Sequence, residues 1–236
     1  MQQIKLKEEK QNFRMKEAFK TLRTNIEFSG TDVKAICVTS CTPGEGKSSI
    51  SLELAKSFAQ NDKKVLLLDA DLRKSKMRSK LKSGAVKMGM TNALAGKAGF
   101  QECLCQTNVE GLYMMLSGPV PPNPSELLGN YRFKALIEES KKVFDMIIID
   151  TPPLGSVIDT AIVSKQCDGA VIVISAGEIS YHFARKVKEQ LEVADCRILG
   201  CVLNKVNMIS NNGYYGKYYG RYYGKYYGNY GTEEEQ

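Results

Sequence analysis

Residues 35–60 read AICVTSCTPGEGKSSISLELAKSFAQ, and few patterns restrict a fold as tightly. The run 35–40 is apolar and short, as a buried strand requires. Glycines at 44 and 46 interrupt it, and residues 49–60 then place apolar side chains at helical spacing. Four more short, β-branched runs follow: KVLLLDAD (64–71), FDMIIIDTPP (144–153), GAVIVIS (169–175) and RILGCVLNKV (197–206). Strands that are apolar almost throughout are covered on both faces, which implies parallel order with helices above and below. Helical segments are expected at 125–142 and 184–194. The fold class expected is therefore α/β, a mostly parallel sheet with helices on both faces. In such a sheet a ligand sits at the carboxyl ends of the strands.

The candidate functional residues fall at those ends. The loop and helix start at Thr42, Pro43, Gly44, Glu45, Gly46, Lys47, Ser48 and Ser49 read as a phosphate-binding loop. Its backbone N–H groups and the positive end of the helix dipole suit an anion. Lys47 would reach the β- and γ-phosphates of a nucleotide, and Ser48 would ligate Mg²⁺. Cys41 stands where the usual pattern has its first glycine. Asp69 and Asp71 follow an apolar strand two residues apart, and point the same way if that strand continues. Asp150 ends another strand. Carboxylates so placed beside a triphosphate are magnesium ligands, direct or through water; a single such Asp could equally cap a turn or helix.

The chain ends differently. Nine of its twelve tyrosines (Tyr214, Tyr215, Tyr218, Tyr219, Tyr222, Tyr223, Tyr226, Tyr227 and Tyr230) lie in a glycine-spaced repeat. Each glycine costs a helix about 1 kcal/mol relative to alanine. No Leu, Ile or Val occurs beyond Ile209, so residues 211–236 are expected to be a disordered Tyr/Gly-rich tail on a folded domain of residues 1–210. No apolar run approaches the ~20 residues of a membrane span, and the N-terminus lacks an apolar signal core; a cytoplasmic location is expected. The seven cysteines show no zinc spacing and are expected to be buried reduced thiols, and His182 a surface or helix residue. Between Asp71 and Glu102 there is no acidic residue, and seven of the basic ones fall between Arg73 and Lys87. That stretch suits a solvated face, an anionic membrane, an acidic partner or nucleic acid.

Taken together, EAFKTLRTNIEFS (17–29), TPGEGKSS (42–49), LLLDADLR (66–73), PPNPSELL (121–128), IIIDTPP (147–153) and the tyrosine cluster resemble the bacterial tyrosine kinases of capsule and exopolysaccharide synthesis. The resemblance covers nearly the whole chain. It implies a P-loop NTPase fold and an ATP- and Mg²⁺-dependent, non-specific protein-tyrosine kinase. Lys47, Asp69, Asp71 and Asp150 would be catalytic, with Asp69 nearest the acceptor hydroxyl. Ser48, Asp69 and Asp150 would hold the metal, and Asn204 would lie near the adenine. The nine tail tyrosines would be the acceptors, modified in trans. Glu17, Lys20 and Arg23 match an E-x-x-R-x-x-R pattern that joins subunits in a ring, with lysine replacing the middle arginine and its planar fork. Also implied are recruitment to the inner face of the membrane by a polysaccharide co-polymerase adaptor, and a cognate tyrosine phosphatase.

The alternative is a non-kinase switch like the septum-positioning and plasmid-partitioning ATPases, acting on membrane or DNA. Those proteins carry an early loop lysine where this chain has Thr42. A nucleic-acid partner is not expected, because the acidic end 233–235 offsets the basic residues interleaved among the tyrosines.

Overall fold

The structure, a computed structural model, describes residues 1–8 and 12–206. The tyrosine cluster and the boundary expected at 210/211 lie outside the described residues. Strands are β1 (Gln2–Gln3), β2 (Lys5–Leu6), β3 (Ala35–Ser40), β4 (Val65–Asp69), β5 (Leu81–Ser83), β6 (Cys105–Gln106), β7 (Leu112–Met115), β8 (Met146–Asp150), β9 (Gly169–Ser175) and β10 (Ile198–Asn204). Helices are α1 (Phe13–Glu27), α2 (Lys47–Ala59), α3 (Met90–Leu94), α4 (Phe100–Cys103), α5 (Pro124–Gly129), α6 (Tyr131–Val143), α7 (Asp159–Ser164) and α8 (Tyr181–Val193).

Eight strands form one sheet in the order β1-β6-β7-β4-β8-β3-β9-β10. The six from β7 to β10 are parallel, and β6 runs antiparallel to β7. Alternation along each central strand divides the core in two. Ile36, Val38, Leu67 and Ile148 pack towards Phe19 and Ile26 of α1 and Leu54 and Phe58 of α2. Cys37, Leu66, Leu68 and Ile149 pack towards Phe133 and Ile137 of α6 and Leu191 of α8. Helices on both sides of a mostly parallel sheet are what the unbroken apolar runs predict.

Two local expectations need correction. The segment 125–142 is two helices: Gly129 closes α5, and Asn130 starts α6 by accepting a hydrogen bond from Arg132 N–H at 3.1 Å. β10 is an edge strand of alternating exposure rather than a doubly covered one, so Cys201 is exposed. α1 buries Phe19 and Ile26 and leaves Met15 48% exposed. No helix among the described residues is long and apolar enough to cross a membrane.

Candidate nucleotide and phosphoryl-transfer site

The expected loop lies between β3 and α2. Gly44 and Gly46 have φ of +90° and +92°, a region closed to most side chains. Gly46 is also constrained in space: a Cβ there would lie 2.3 Å from Asn204 Nδ2. Asn204, at the end of β10, donates from Nδ2 to the Glu45 carbonyl at 2.8 Å. The last strand is thus stitched to the phosphate loop.

Glu45 is an acidic residue buried in a loop suited to anions. Its Oε1 accepts from the N–H and hydroxyl of Thr42, and its Oε2 from Ser175 N–H at 2.9 Å. Three donors offset the cost of burying the charge. Thr42, at the position that distinguishes the alternative ATPases, is engaged within the loop.

Asp69 and Asp150 are register neighbours at the ends of β4 and β8, and Asp150 is also paired with Val38 of β3. Ala70 N–H donates to the Asp150 carbonyl at 2.8 Å, and Thr151 Oγ1 donates to the Val38 carbonyl at 2.9 Å. Both carboxyls are buried. Asp69 Oδ2 accepts from Ser75 Oγ at 2.5 Å and Ser117 N–H at 3.1 Å. Asp150 Oδ1 accepts from Ser51 Oγ at 3.1 Å. Asp69 Oδ1 and Asp150 Oδ2 are buried with no hydrogen-bond partner. Burial pushes the Asp69 carboxyl up to about 6, against the hydrogen bonds of Ser75 and Ser117 and helped by Asp71. Burial likewise pushes Asp150 up to about 7, with Lys47 opposing and Asp69 reinforcing the rise.

Asp71 lies beyond the end of β4, so the strand does not continue through it. Its Oδ1 closes a turn by accepting from the N–H groups of Arg73 (3.3 Å) and Lys74 (2.9 Å), while Oδ2 stands 3.7 Å from Lys47 Nζ. Ser48, next to Lys47 at the start of α2, lies near Asp150 and opposes the rise of its carboxyl. The structure therefore brings the loop, Lys47, Ser48, Asp69, Asp71, Asp150 and Asn204 to one end of the sheet.

A divalent cation fits this donor set. Two buried carboxylate oxygens lack partners beside a serine hydroxyl. Among the described residues no three His, Cys, Asp or Glu side chains could hold a metal by themselves. Mg²⁺ takes one or two carboxylates and completes its shell with water and phosphate oxygens, so Asp69 and Asp150 meet its demand on the protein.

The trio Glu17, Lys20 and Arg23 is divided. Lys20 Nζ bonds Glu17 Oε1 at 2.6 Å, whereas Arg23 Nη1 donates to the Ser57 carbonyl of α2 at 2.7 Å. Arg23 thus fastens α1 to α2 within the protomer.

Sequence reasoning missed a second group of residues. Arg73 makes a bidentate contact with Asp159, Nε to Oδ2 at 2.7 Å and Nη2 to Oδ1 at 3.0 Å, and Ser125 Oγ donates to Asp159 Oδ1 at 2.8 Å. This joins the Asp71 turn to α5 and α7. Arg73 and Ser125 lie in quoted motifs; Asp159 carried no sequence signal.

With this geometry, three comparisons are informative. Residues 33–195 match the AAA domain family. Tyrosine-protein kinase CpsD of Streptococcus agalactiae is 47% identical over 201 residues, covering 85% of this chain and 88% of that one. Tyrosine-protein kinase YwqD of Bacillus subtilis (strain 168) is 41% identical over 204 residues, covering 85% and 86%. Among solved structures, the kinase domain of Escherichia coli tyrosine kinase ETK matches with a TM-score of 0.76 at 32% identity, over 84% of this chain and 80% of that one.

Proposed function

The chain belongs to the bacterial tyrosine-protein kinase family, and from that premise we propose that it transfers the γ-phosphoryl group of ATP to the tyrosines of its own C-terminal cluster, in trans. Its P-loop fold is that of a nucleotide-binding protein. The observation that carries the proposal is the pairing of Asp69 with Asp150, each with one buried oxygen left free, beside Lys47 and Ser48.

Phosphoryl transfer asks a protein mainly for positioning and charge neutralisation. The loop 42–49 would cradle the phosphates, Lys47 would bind the β- and γ-oxygens, and Asn204 would border the adenine. Ser48, Asp69 and Asp150 would hold Mg²⁺, whose charge offsets that of the phosphates when it is bound. Asp69, at the end of β4, would lie nearest the acceptor hydroxyl. It would take the proton of the incoming tyrosine hydroxyl, while Asp71 keeps Lys47 aligned. The non-kinase ATPase alternative is not supported: the relatives are tyrosine kinases, and Thr42 replaces the lysine it needs.

The wider assignment follows the family resemblance. The kinase would act in synthesis and export of a capsular or extracellular polysaccharide, recruited to the inner face of the membrane by a co-polymerase adaptor and reversed by a tyrosine phosphatase. Glu17 and Lys20, paired with each other on α1, would meet a neighbouring subunit in a ring.

Incubation with Mg-ATP followed by intact-mass measurement tests the assignment. Serial phosphate additions that vanish in Lys47→Met are expected. Mixing Lys47→Met subunits with catalytically intact subunits lacking residues 211–236 should label the tail of the Lys47→Met chain. Nucleotide turnover without any tyrosine labelling would overturn the proposal.

A further inference from the structure

The acid-free stretch after Asp71 is a built surface. It begins at the Asp71 turn, where Ser75 donates to Asp69, and is pinned by the fully buried Met77. Its strand β5 pairs antiparallel with β2, which brings in Lys5, and Lys7 Nζ donates to the Ser79 carbonyl at 2.7 Å. The far end is clamped by Gln2, whose Oε1 accepts from Lys87 N–H at 2.6 Å and whose Nε2 donates to the Met88 carbonyl at 2.9 Å. Lys5, Lys7, Lys74, Lys76, Arg78, Lys82 and Lys87 are all exposed. Lys74, Lys76, Arg78, Lys82 and Lys87 pair with no carboxylate among the described residues.

Facing this uncompensated charge, the sequence holds one run of three consecutive acids outside the described residues: Glu233, Glu234 and Glu235, just after the last acceptor candidate, Tyr230. We infer that the basic face 74–87, with Lys5 and Lys7, docks Glu233–Glu235 and holds that end of the acceptor segment while the preceding tyrosines reach the catalytic carboxylates. This rests on the proposed self-phosphorylation. Two observations favour it over an anionic lipid surface. The face is continuous with the catalytic turn, a placement substrate docking needs and lipid binding does not, and the complementary charge lies in the same polypeptide. The chain lengths agree. Lys76 is five residues from Asp71, at most ~17 Å away at ~3.4 Å per residue. Tyr230, Tyr227 and Tyr226 precede Glu233 by three, six and seven residues, spans of ~10 to ~24 Å. Tyr226 and Tyr227 (~20 to ~24 Å) can therefore reach the site from Lys76, and Tyr230 (~10 Å) from Lys74, three residues from Asp71, while the acids stay docked.

The test is a charge swap in the full-length protein. The face variant carries Lys76→Glu, Arg78→Glu and Lys82→Glu; the tail variant carries Glu233→Lys, Glu234→Lys and Glu235→Lys; a third carries all six. Each face or tail variant should phosphorylate its tail about tenfold more slowly at low salt, as expected for lost electrostatic steering, most clearly at Tyr226, Tyr227 and Tyr230. Transfer to an added neutral tyrosine peptide should not change, and the six-fold variant should regain most of the tail rate. Binding is measured separately with a fluorescent peptide of residues 228–236, added to full-length protein carrying Glu233→Gln, Glu234→Gln and Glu235→Gln. Peptide bound by this protein, but not when the face variant's substitutions are added, supports docking even if no tyrosine is ever labelled, an outcome that would sink only the kinase assignment. Unchanged peptide binding and tail rate in the face variant overturn the inference. So does a slowed face variant that the swap fails to rescue. Loss of binding to phosphatidylglycerol vesicles with tail phosphorylation intact would also overturn it, assigning the face to lipid.

Discussion

Lys47 Nζ stands 3.7 Å from Asp71 Oδ2, both nearly buried, at a separation too long for a hydrogen bond. Asp71 attracts the ammonium without consuming its N–H donors, which stay free for phosphate. Asn at position 71 would keep an acceptor for the Arg73 and Lys74 N–H groups but lose the charge. Asp71→Asn should therefore lower kcat for tyrosine phosphorylation about 10²-fold with a folded domain. Asp71→Ala should in addition lose about 1–2 kcal/mol of stability, because those two donors lose their partner. Steady-state kinetics and denaturant unfolding of both variants separate the two effects.

Stability without ligand should fall as pH rises. Asp69 and Asp150 titrate at about 6 and about 7 in the fold, against an ordinary 3.8. The folded state thus binds protons more tightly than the unfolded chain, and its advantage declines from about pH 4 up to about pH 7. Metal-free protein should melt on the order of 5 °C lower at pH 8 than at pH 5.5. Thermal melts across this range should show a flatter dependence for Asp150→Asn, and Mg-ATP should remove most of the loss.

Gly46→Ala should abolish nucleotide binding. The new methyl would lie 2.3 Å from Asn204 Nδ2, at a backbone φ of +92°. Asn204→Gly added to Gly46→Ala removes the collision but not the backbone strain of about 1–2 kcal/mol. Nucleotide titration calorimetry should find partial recovery in the double variant.

Asp159 is fully buried and receives both Arg73 and Ser125. Arg73 is partly exposed, which limits the penalty of losing the pair. Asp159→Asn should cost about 2 kcal/mol and lower Tm by about 4–8 °C. Calorimetry measures this, and tyrosine transfer should slow as the Asp71 turn loosens.

The parts legible in the sequence were those set by local pattern. β3 and β9 lie where their apolar runs predict, because strands covered on both faces tolerate few polar residues. β4 and β8 stop at Asp69 and Asp150, earlier than the runs suggest, since the Asp71 carboxylate closes a turn and Pro152 and Pro153 have no N–H to donate to a ladder. The break at Asn130 had a signal, Gly-Asn inside a helical pattern, that the apolar periodicity outweighed. β1, β2, β5 and β6 are two or three residues long and take their conformation from their neighbours. The Arg73–Asp159 contact spans 86 residues and could not be read from spacing. Nor could the inward turn of Glu45, since acidic residues in loops ordinarily face water.

That buried glutamate has an energetic consequence. A cradle of convergent N–H groups ordinarily repels its own closure until an anion arrives, and part of the ligand's affinity is then spent on ordering. Here an internal anion already ties Thr42 to the end of β9, and Asn204 fastens the opposite rim. The receptor is therefore rigid before its ligand comes, and exchanging a spent nucleotide for a fresh one requires no refolding of the walls.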